Sequence, residues 1–354
     1  MKPLLLILFI LPMSFLGVVA QCEASCPLPD PFDWNLTYAY TLHVSPGGSD
    51  SSGTGSVEKP YATLTQAARN ARPGTDIVLH SGTYSPGTFI ANLQGSASEP
   101  IRIRGESPDQ RAVIAGSGGG IQLTDPRYLV LENLVIEGST TNGLNIDDGG
   151  TYDSPAEYVI LRNITVRNMN ASGNNDGIKL SGLDHFRIER CAVLNPGKGG
   201  SAIDMVGCHD GLICHNQIQD CQTSGIQAKG GCARIQIYAN VFDQAGMRPI
   251  NMGGSTGMPY FRPLDAPYEA ANITAWGNLF LGGETPVAFV GCEKGLFVHN
   301  TVILPKRWAA RILQENNDAQ LIQCRNNIYA NNIIVFDANL STFVNVGPNT
   351  HSDT

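Results

Sequence analysis

The chain has 354 residues, 42% of them hydrophobic and 15% charged, so it can bury a large core and lacks the composition of a disordered segment. Its 39 glycines indicate many tight turns rather than long helices. The formal net charge of -8 argues against nucleic acid or an acidic membrane surface as the partner, because both favour a basic face. An acidic polysaccharide would instead require a local cationic groove.

Residues 1–20 have the features of a signal peptide. Lys2 precedes an apolar run from Leu4 to Phe15, and small residues lead up to Ala20. The run is shorter than the roughly 20 residues that span a bilayer, so we expect export and cleavage rather than a membrane anchor. The sequence therefore predicts a secreted protein, extracellular or periplasmic, with an N-terminal extension over residues 21–40 and one domain over residues 41–354. Whether that domain is truncated at its C-terminal end stays open at this point.

A short amphipathic helix is predicted near the start of the domain. Thr63 and Gln66 form a capping box, and the apolar positions Leu64, Ala67, Ala68 and Ala71 follow with helical spacing. We expect this helix to cover the open end of the structure that follows.

A phrase of alternating apolar residues followed by Asn recurs from residue 129 onward. The intervals between its Asn slots are 22 to 38 residues, and each holds two or three short strands without helical periodicity. This repeat predicts a solenoid of stacked coils in which Asn side chains hydrogen-bond from coil to coil. The slot residues are Asn133, Asn163, Cys191, Asn216, Asn240, Asn278, Asn300 and Asn326.

A second phrase supplies two inward and two outward columns of side chains, because alternate residues of a strand point to opposite faces. The inward columns contain Leu144, Ile178, Ile203, Ile226, Ile250 and Val287, and two residues later Ile146, Leu180, Met205, Ala228, Met252 and Phe289. The outward columns contain Asn145, Lys179, Asp204, Gln227, Asn251 and Ala288, and then Asp147, Ser181, Val206, Lys229, Gly253 and Val290. One outer face is therefore predicted to be polar and to carry side chains that can bind a substrate or take part in catalysis.

Seven of the nine cysteines lie between Cys191 and Cys324, and we expect them to be small buried side chains. Cys208 and Cys232 follow glycines at the same position of consecutive coils, so they are predicted to be neighbours, either bonded or stacked.

Four segments ahead of the coils resemble the right-handed parallel β-helix superfamily typified by pectate lyases and chondroitinase B. They are Gly-Gly-Ser-Asp at 47–50, Lys-Pro-Tyr-Ala-Thr-Leu at 59–64, Pro-Gly-Thr-Asp-Ile-Val-Leu at 73–79 and Ser-Gly-Thr-Tyr at 81–84. The resemblance implies an all-β fold, a right-handed parallel β-helix solenoid with a short N-terminal capping helix. It also implies β-elimination of an uronate-containing polysaccharide, with Lys or Arg as base and often with calcium.

The segment 225–229, followed by 238–240, is similar to the stretch of chondroitinase B and alginate lyases that carries the Lys base. This similarity points to Lys229 as the base. The paired glutamates that hold calcium in that family are missing upstream of Lys229, and Arg248 is only an approximate counterpart of the family's downstream Arg. The segment 174–177 resembles the Asn-Thr-Asp element of polygalacturonases, but the paired Asp and the Gly-His-Gly element of that family are absent.

The candidate site combines the outward columns with the longest interval, between Asn240 and Asn278. Lys229, Asp204 and Lys179 lie on neighbouring coils about 4.8 Å apart, within reach of one sugar ring. Candidate catalytic residues are Lys229, Arg248 and Lys179. Candidate substrate-binding residues are Asn145, Gln227, Asn251, Tyr260, Arg262 and Tyr268. Calcium is the one cofactor that the resemblance implies, with Asp147, Asp176 and Asp204 as candidate ligands.

These residues favour a secreted polysaccharide lyase that acts as a monomer on an acidic polysaccharide and binds no nucleic acid and, after signal cleavage, no membrane. An uronate epimerase would share the proton abstraction. A glycoside hydrolase that uses Asp176 and Asp204 as its carboxylate pair, and a non-catalytic carbohydrate-binding or surface solenoid, remain the alternatives.

Overall fold

The computed structural model describes residues 37–351, so the predicted signal peptide and most of the predicted N-terminal extension lie outside the described residues. Its strands are numbered β1 to β32 in chain order and form three parallel sheets, to which each coil contributes one short strand in turn. The fold is a right-handed parallel β-helix, which confirms the predicted fold class.

Sheet A contains twelve strands, which are β1 Tyr40–Val44, β2 Thr75–Leu79, β5 Ile101–Gly105, β8 Arg127–Glu132, β11 Ala156–Arg162, β14 Leu183–Glu189, β17 His209–Cys214, β20 Cys232–Tyr238, β23 Ala270–Trp276, β26 Cys292–Glu293, β27 Leu296–Val298 and β30 Ile328–Ala330. Sheet B contains ten, which are β3 Gly82–Tyr84, β6 Ala112–Ala115, β9 Leu134–Glu137, β12 Thr165–Arg167, β15 Ala192–Leu194, β18 Gln217–Cys221, β21 Val241–Ala245, β24 Leu279–Leu281, β28 Thr301–Ile303 and β31 Ile333–Val335. Sheet C also contains ten, which are β4 Thr88–Ala91, β7 Ile121–Thr124, β10 Leu144–Asp147, β13 Ile178–Ser181, β16 Ser201–Val206, β19 Ser224–Lys229, β22 Arg248–Gly253, β25 Val287–Val290, β29 Trp308–Leu313 and β32 Thr342–Val346.

The predicted helix is present as α1, Leu64–Asn70, and the other helical element is a 3-10 turn at Met258–Tyr260. Thr63 caps α1, since its hydroxyl accepts a hydrogen bond from the amide of Gln66 at 3.1 Å. Leu64, Ala67 and Ala68 are buried against the first coils, as the amphipathic spacing predicts.

The inward columns of sheet C pair in the predicted register. Ile178 is opposite Ile203, Ile203 is opposite Ile226 and Ile226 is opposite Ile250, and all four side chains are fully buried. They belong to one apolar core that runs along the whole solenoid, from Val44 to Cys324. Because side chains alternate between the two faces of a strand, the outward columns predicted from the same alignment are also in register.

The asparagine ladder is present but begins later than predicted. The amide of Asn216 donates to Asn240 Oδ1 at 2.9 Å, the amide of Asn240 donates to Asn278 Oδ1 at 3.0 Å, and Asn278 and Asn300 continue the pattern. Asn133 and Asn163 lie one position earlier in their coils, in left-handed turns with φ of 59° and 49°, so their alignment with the later slots was wrong, but the predicted coil-to-coil bond is present because Asn163 Nδ2 donates to Asn133 Oδ1 at 2.7 Å. The assignment of Asn326 was wrong too, because Asn300 donates to Asn332 instead.

The seven cysteines of the described residues are free and buried, in agreement with the prediction. Cys208 and Cys232 are neighbours, since the amide of Cys208 donates to Cys232 Sγ at 3.2 Å, and they are stacked rather than bonded. Burial raises the pKa of Cys191 and of Cys221 to about 12, so neither thiol is a ready nucleophile. Within residues 37–351 we find no helix with the length and apolarity needed to cross a membrane.

Candidate active site

The site lies on the outer face of sheet C, where β13, β16, β19 and β22 stack in parallel. The register places Lys179 opposite Asp204, Asp204 opposite Gln227, and Gln227 opposite Asn251. Lys229 belongs to the next outward column, opposite Val206. The strand alternation that buries the isoleucine column therefore aims these polar side chains away from the core.

Two lysines and two aspartates form the centre of this face, here called the Lys-Asp cluster: Asp176, Lys179, Asp204 and Lys229. Lys179 donates a short hydrogen bond to Asp204, and its Nζ lies 3.6 Å from Asp176 Oδ2. Lys229 Nζ lies 3.3 Å from Asp204 Oδ1. Asp176 is fixed by the coil stacking itself, since its Oδ1 accepts a hydrogen bond from the amide of Ser201 at 2.7 Å.

Two members of the cluster, Asp176 and Lys179, have raised pKa values, and the physical causes differ. Burial, and then the neighbouring Asp204 charge, raise the pKa of Asp176 from 3.8 to about 6 against the opposing effect of Lys179. Burial alone would lower the pKa of Lys179, but the carboxylates of Asp204 and Asp176 outweigh it and raise that pKa. Lys179 is therefore a permanent cation at this site.

A loop of residues 254–269, here called the cover loop, lies over part of the face. Gly254 makes the approach possible, because a Cβ there would lie 2.6 Å from Gln227 Nε2 and 3.2 Å from Lys229 Cδ. Glu269 anchors the loop from a fully buried position. Its carboxylate accepts hydrogen bonds from the Gly230 amide at 2.9 Å, from the Thr256 amide and hydroxyl at 2.7 and 2.8 Å, and from Asn316 Nδ2 at 3.0 Å.

An open cavity of about 520 Å³ lies between the cover loop and the face. Its wall includes the side chains of Lys179 and Lys229, whereas Asp176 and Asp204 are each 1% exposed and lie beneath them. The hydroxyl of Tyr152 donates a short hydrogen bond to the Pro259 carbonyl and so joins the loop to the cavity rim. The remaining wall residues are Asp148, Gly150, Asn174, Ser181, Gly182, Val206, Ser255, Thr256, Gly257, Tyr260 and Arg262.

Of the aromatic and basic residues predicted on the long interval, Tyr260 has the most accessible side chain, at 68% exposed. Arg262 also reaches the cavity wall, but its guanidinium makes a bidentate pair with Asp184, with N···O distances of 2.7 and 2.8 Å. Burial of Asp184 would raise its pKa, but the hydrogen bonds from Arg262 and His209 hold that pKa well below its ordinary value. The structure thus gives Arg262 the position of a loop anchor.

The other predicted site residues lie outside the cavity wall. Asn145 donates to Gln122 Oε1 at 2.6 Å on the neighbouring coil. Asn251 is buried and accepts a long hydrogen bond from Arg248, whose guanidinium pairs with Glu315 at 2.7 Å. Tyr268 lies on the sheet A side, where its electrostatic neighbours are Arg234 and Glu293.

The candidate calcium ligands do not fit the ion. Asp147 is held apart by hydrogen bonds from Gln122 and Asn145, while Asp176 and Asp204 already face the two lysine ammonium groups. Over residues 37–351 we find no group of three or more His, Cys, Asp or Glu side chains that could hold a metal ion.

Residues that sequence reasoning missed complete the site. Asp184 and Glu269 hold the cover loop, and Tyr152 forms the rim. These contacts join positions far apart in the chain, such as the 107 residues between Tyr152 and Pro259. Glu269 is the one glutamate in the interval between Asn240 and Asn278, and this was the available sequence signal for it.

Comparison with known proteins supports the fold and leaves the activity open. A family model described as a right handed beta helix region matches residues 110–262. A curated relative, the uncharacterized protein YwoF of Bacillus subtilis (strain 168), is 27% identical over 142 residues, which are 38% of this chain and 30% of the relative. The match thus spans about a third of the relative's length.

Two solved structures with the same fold are polysaccharide lyases. An alginate lyase from Paenibacillus sp. str. FPU-7 superposes with a TM-score of 0.57 at 18% identity, covering 86% of this chain and 99% of the lyase. The pectate lyase Pel9A superposes with a TM-score of 0.55 at 12% identity, covering 90% of this chain and 80% of the lyase. At these identities the likeness concerns the fold alone.

Proposed function

We propose that this protein is a polysaccharide lyase that cleaves an uronate-containing acidic polysaccharide by β-elimination in the cavity over sheet C. The observation that carries the proposal is the layering of the Lys-Asp cluster. The side chains of Lys179 and Lys229 line the cavity, and their ammonium groups contact two carboxylates buried beneath them. The cluster carries two positive and two negative charges, but the lysines line the open groove and the aspartates lie buried beneath them, so an anionic substrate meets the cations first.

The uronate carboxylate binds Lys179. Asp204 and Asp176 keep Lys179 charged and fix its position, so the ammonium needs little reorganisation when substrate arrives. Its charge also stabilises the negative charge that builds on the carboxyl group when the adjacent proton is removed. The same carboxylates make Lys179 a poor base, because they raise its pKa.

Lys229 is the base. It makes one carboxylate contact, at 3.3 Å, where Lys179 makes two, so it is the less strongly held of the two lysines. After its ammonium has released a proton to solvent, its Nζ accepts the C5 proton, the C–H electron pair becomes the C4–C5 double bond, and the bond from C4 to the glycosidic oxygen breaks. The departing oxygen takes a proton from the hydroxyl of Tyr260, the most exposed aromatic side chain of the cavity wall.

A glycoside hydrolase is the weaker candidate for this cavity. Hydrolysis needs two carboxyl groups in contact with the scissile bond and with water. Asp176 and Asp204 are 1% exposed, and the lysine side chains lie between them and the cavity. Their position suits them to tuning the lysines rather than to touching a sugar.

The direct test is elimination by purified protein on a panel of acidic glycans that includes alginate and polygalacturonate, followed by ultraviolet absorbance of the unsaturated product. Lys229→Ala should lower kcat by about 10²- to 10⁴-fold, because the base is lost, while glycan binding largely survives. Lys179→Ala should mainly raise KM. Lys59→Ala, at an exposed position near the N-terminal coils, is the matched control.

The outcomes separate the remaining alternatives. Wild-type elimination by Lys229→Ala would remove Lys229 from the role of base. Reducing ends without unsaturation would indicate a hydrolase, and binding of glycan without turnover would indicate a non-catalytic solenoid. An epimerised polymer of unchanged length would indicate an epimerase.

We further propose that residues 1–20 direct export and that the mature protein acts as a monomer outside the cytoplasm. N-terminal sequencing of protein recovered from the medium or periplasm should begin near Gln21. A protein retained with Met1 intact would contradict this.

A further inference from the structure

An unpaired arginine lies on the same face of sheet C, beyond the predicted ladder. The register continues from Asn251 to Ala288 and from Ala288 to Arg311, so Arg311 shares the outward column of Lys179 and Asp204. Within residues 37–351 the side chain of Arg311 forms no ion pair or hydrogen bond, and its buried Nε atom lacks a partner. A guanidinium carries five N–H donors, so this one is poorly satisfied.

The charged groups around Arg311 leave it short of a counter-charge as well as of hydrogen-bond partners. Arg248 and Arg307 are its cationic neighbours, and Glu315 and Glu284 are the nearby carboxylates. Each carboxylate already serves one arginine, since Glu315 pairs with Arg248 at 2.7 Å and Glu284 pairs with Arg307 at 3.5 Å. Three guanidinium groups thus share two carboxylates, which leaves one local positive charge without a counter-charge.

The indole of Trp308 contacts two of these arginines but supplies neither a counter-charge nor a hydrogen-bond acceptor. Its ring centroid is 4.8 Å from the guanidinium carbon of Arg311 and 4.1 Å from that of Arg307. Cation-π contact offers a face to the charge, but it leaves the in-plane N–H donors free. Burial and the like charge of Arg248 lower the pKa of Arg311, which shows that its surroundings disfavour the cation in the absence of an anion.

We propose that Arg311, assisted by Arg248, binds a second carboxylate of the acidic polysaccharide, at a subsite separate from the Lys-Asp cluster. Arg311 lies three coil steps beyond Gln227, which is on the same strand as Lys229, or about 14 Å at the spacing of parallel strands. One uronate cannot reach both places, so the two sites contact different residues of one chain. The subsite therefore makes the protein selective for longer acidic chains, and this inference rests on the proposed function.

The test compares long and short oligouronates of defined length, with KM and direct calorimetric binding as readouts. Arg311→Gln should raise KM and Kd for the long oligomers by about tenfold or more, the loss expected for a charge-assisted hydrogen bond, and should affect the shortest cleaved oligomer much less. Arg311→Lys keeps the charge without the planar fork, so its KM and Kd for the long oligomers should lie between those of wild type and those of Arg311→Gln. Arg167→Gln, an exposed arginine of sheet B paired with Glu137, is the control and should leave the ratio of long to short unchanged.

Equal effects of Arg311→Gln on long and short oligomers, in a variant that melts like wild type, would overturn the subsite while leaving the lyase proposal intact. If Arg311→Gln fails to fold, Arg311→Lys is used for the test instead. A ratio of long-chain to short-chain affinity in Arg311→Lys equal to that of wild type would then overturn the subsite. Wild-type protein that binds no acidic oligomer of any length would overturn both proposals.

Discussion

At the scale of the residue, the Lys-Asp cluster shows how burial and contacts give two side chains of the same type different chemical properties. Asp176 lies 3.6 Å from its lysine and is surrounded by coil backbone, so part of its desolvation is uncompensated. Lys179 and Lys229 differ in a parallel way, because one contacts two carboxylates and the other contacts one. The division into a fixed cation and a base follows from these contacts rather than from residue type.

The raised pKa of Asp176 predicts how stability depends on pH. Its pKa is 3.8 in the unfolded reference and about 6 in the fold, so between these values the folded state binds more protons than the unfolded state. The contribution of Asp176 to stability is therefore complete below about pH 4 and is lost as the pH rises through 6. Asp176→Asn removes the titration and keeps an oxygen for the Ser201 amide.

The unfolding free energy of Asp176→Asn should therefore rise relative to that of wild type as the pH increases from 4 to 7, by up to about 2–3 kcal/mol. Denaturant unfolding of both proteins at the two pH values measures this change. A difference between variant and wild type that stays constant with pH would show that Asp176 does not titrate in this window.

At the scale of the element, the cover loop depends on one buried carboxylate. Glu269 has four hydrogen-bond donors around it and, among the described residues, no lysine or arginine partner. Glu269→Gln replaces one acceptor oxygen with an NH₂ group that faces donors. We expect a loss of about 1–3 kcal/mol of unfolding free energy, since buried donors are left unsatisfied.

The loop should also loosen over the cavity in Glu269→Gln, so KM for the polysaccharide should rise along with the loss of stability. Chemical denaturation and steady-state kinetics measure the two effects. Glu58→Gln, at an exposed position, is the control. A variant with wild-type stability would show that the loop is held by other contacts.

The strands and the cover loop also differ in how far sequence can predict them. Alternation fixes which side chains of β13, β16 and β19 face outward, and the predicted columns agree with the register. Nothing in a strand pattern says what lies over its outer face, so the burial of Asp204 and the pairing of Arg262 with Asp184 were not predictable. Arg311 was missed because the alignment stopped at Ala288, before the irregular approach to β29.

At the scale of the whole molecule, the asparagine ladder ties five coils together along the solenoid axis. Two kinds of Asn occur at neighbouring positions, and the predicted alignment merged them. Asn163 occupies a left-handed turn, a conformation that Asn tolerates, and Asn240 occupies the buried position that follows such a turn. The phrase before Asn240 is one residue longer than the phrase before Asn163, and this extra residue was the available signal.

The two positions should respond differently to substitution. Asn240 accepts hydrogen bonds from the amide and the side chain of Asn216, and it donates to the Ile213 carbonyl and to Asn278 Oδ1. Asn240→Ala removes the acceptor of the buried Asn216 amide and one donor to the Ile213 carbonyl, whereas Asn278 Oδ1 keeps the Asn240 amide and Asn216 Nδ2 keeps the Ile188 carbonyl, so it should cost about 1–3 kcal/mol for each group left unsatisfied. Asn163→Gly keeps the left-handed turn and removes one half-buried hydrogen bond to Asn133, so its cost should be near 1 kcal/mol or less.

Denaturant unfolding of the two variants tests the ladder directly. Because coils stack on nearest neighbours only, hydrogen exchange should also accelerate in β18, β21 and β24, around the substituted rung, before it accelerates in the first coils. Equal destabilisation by Asn163→Gly and Asn240→Ala would mean that the two asparagines are equivalent. In that case coil-to-coil cohesion would come from the apolar core rather than from the polar rungs.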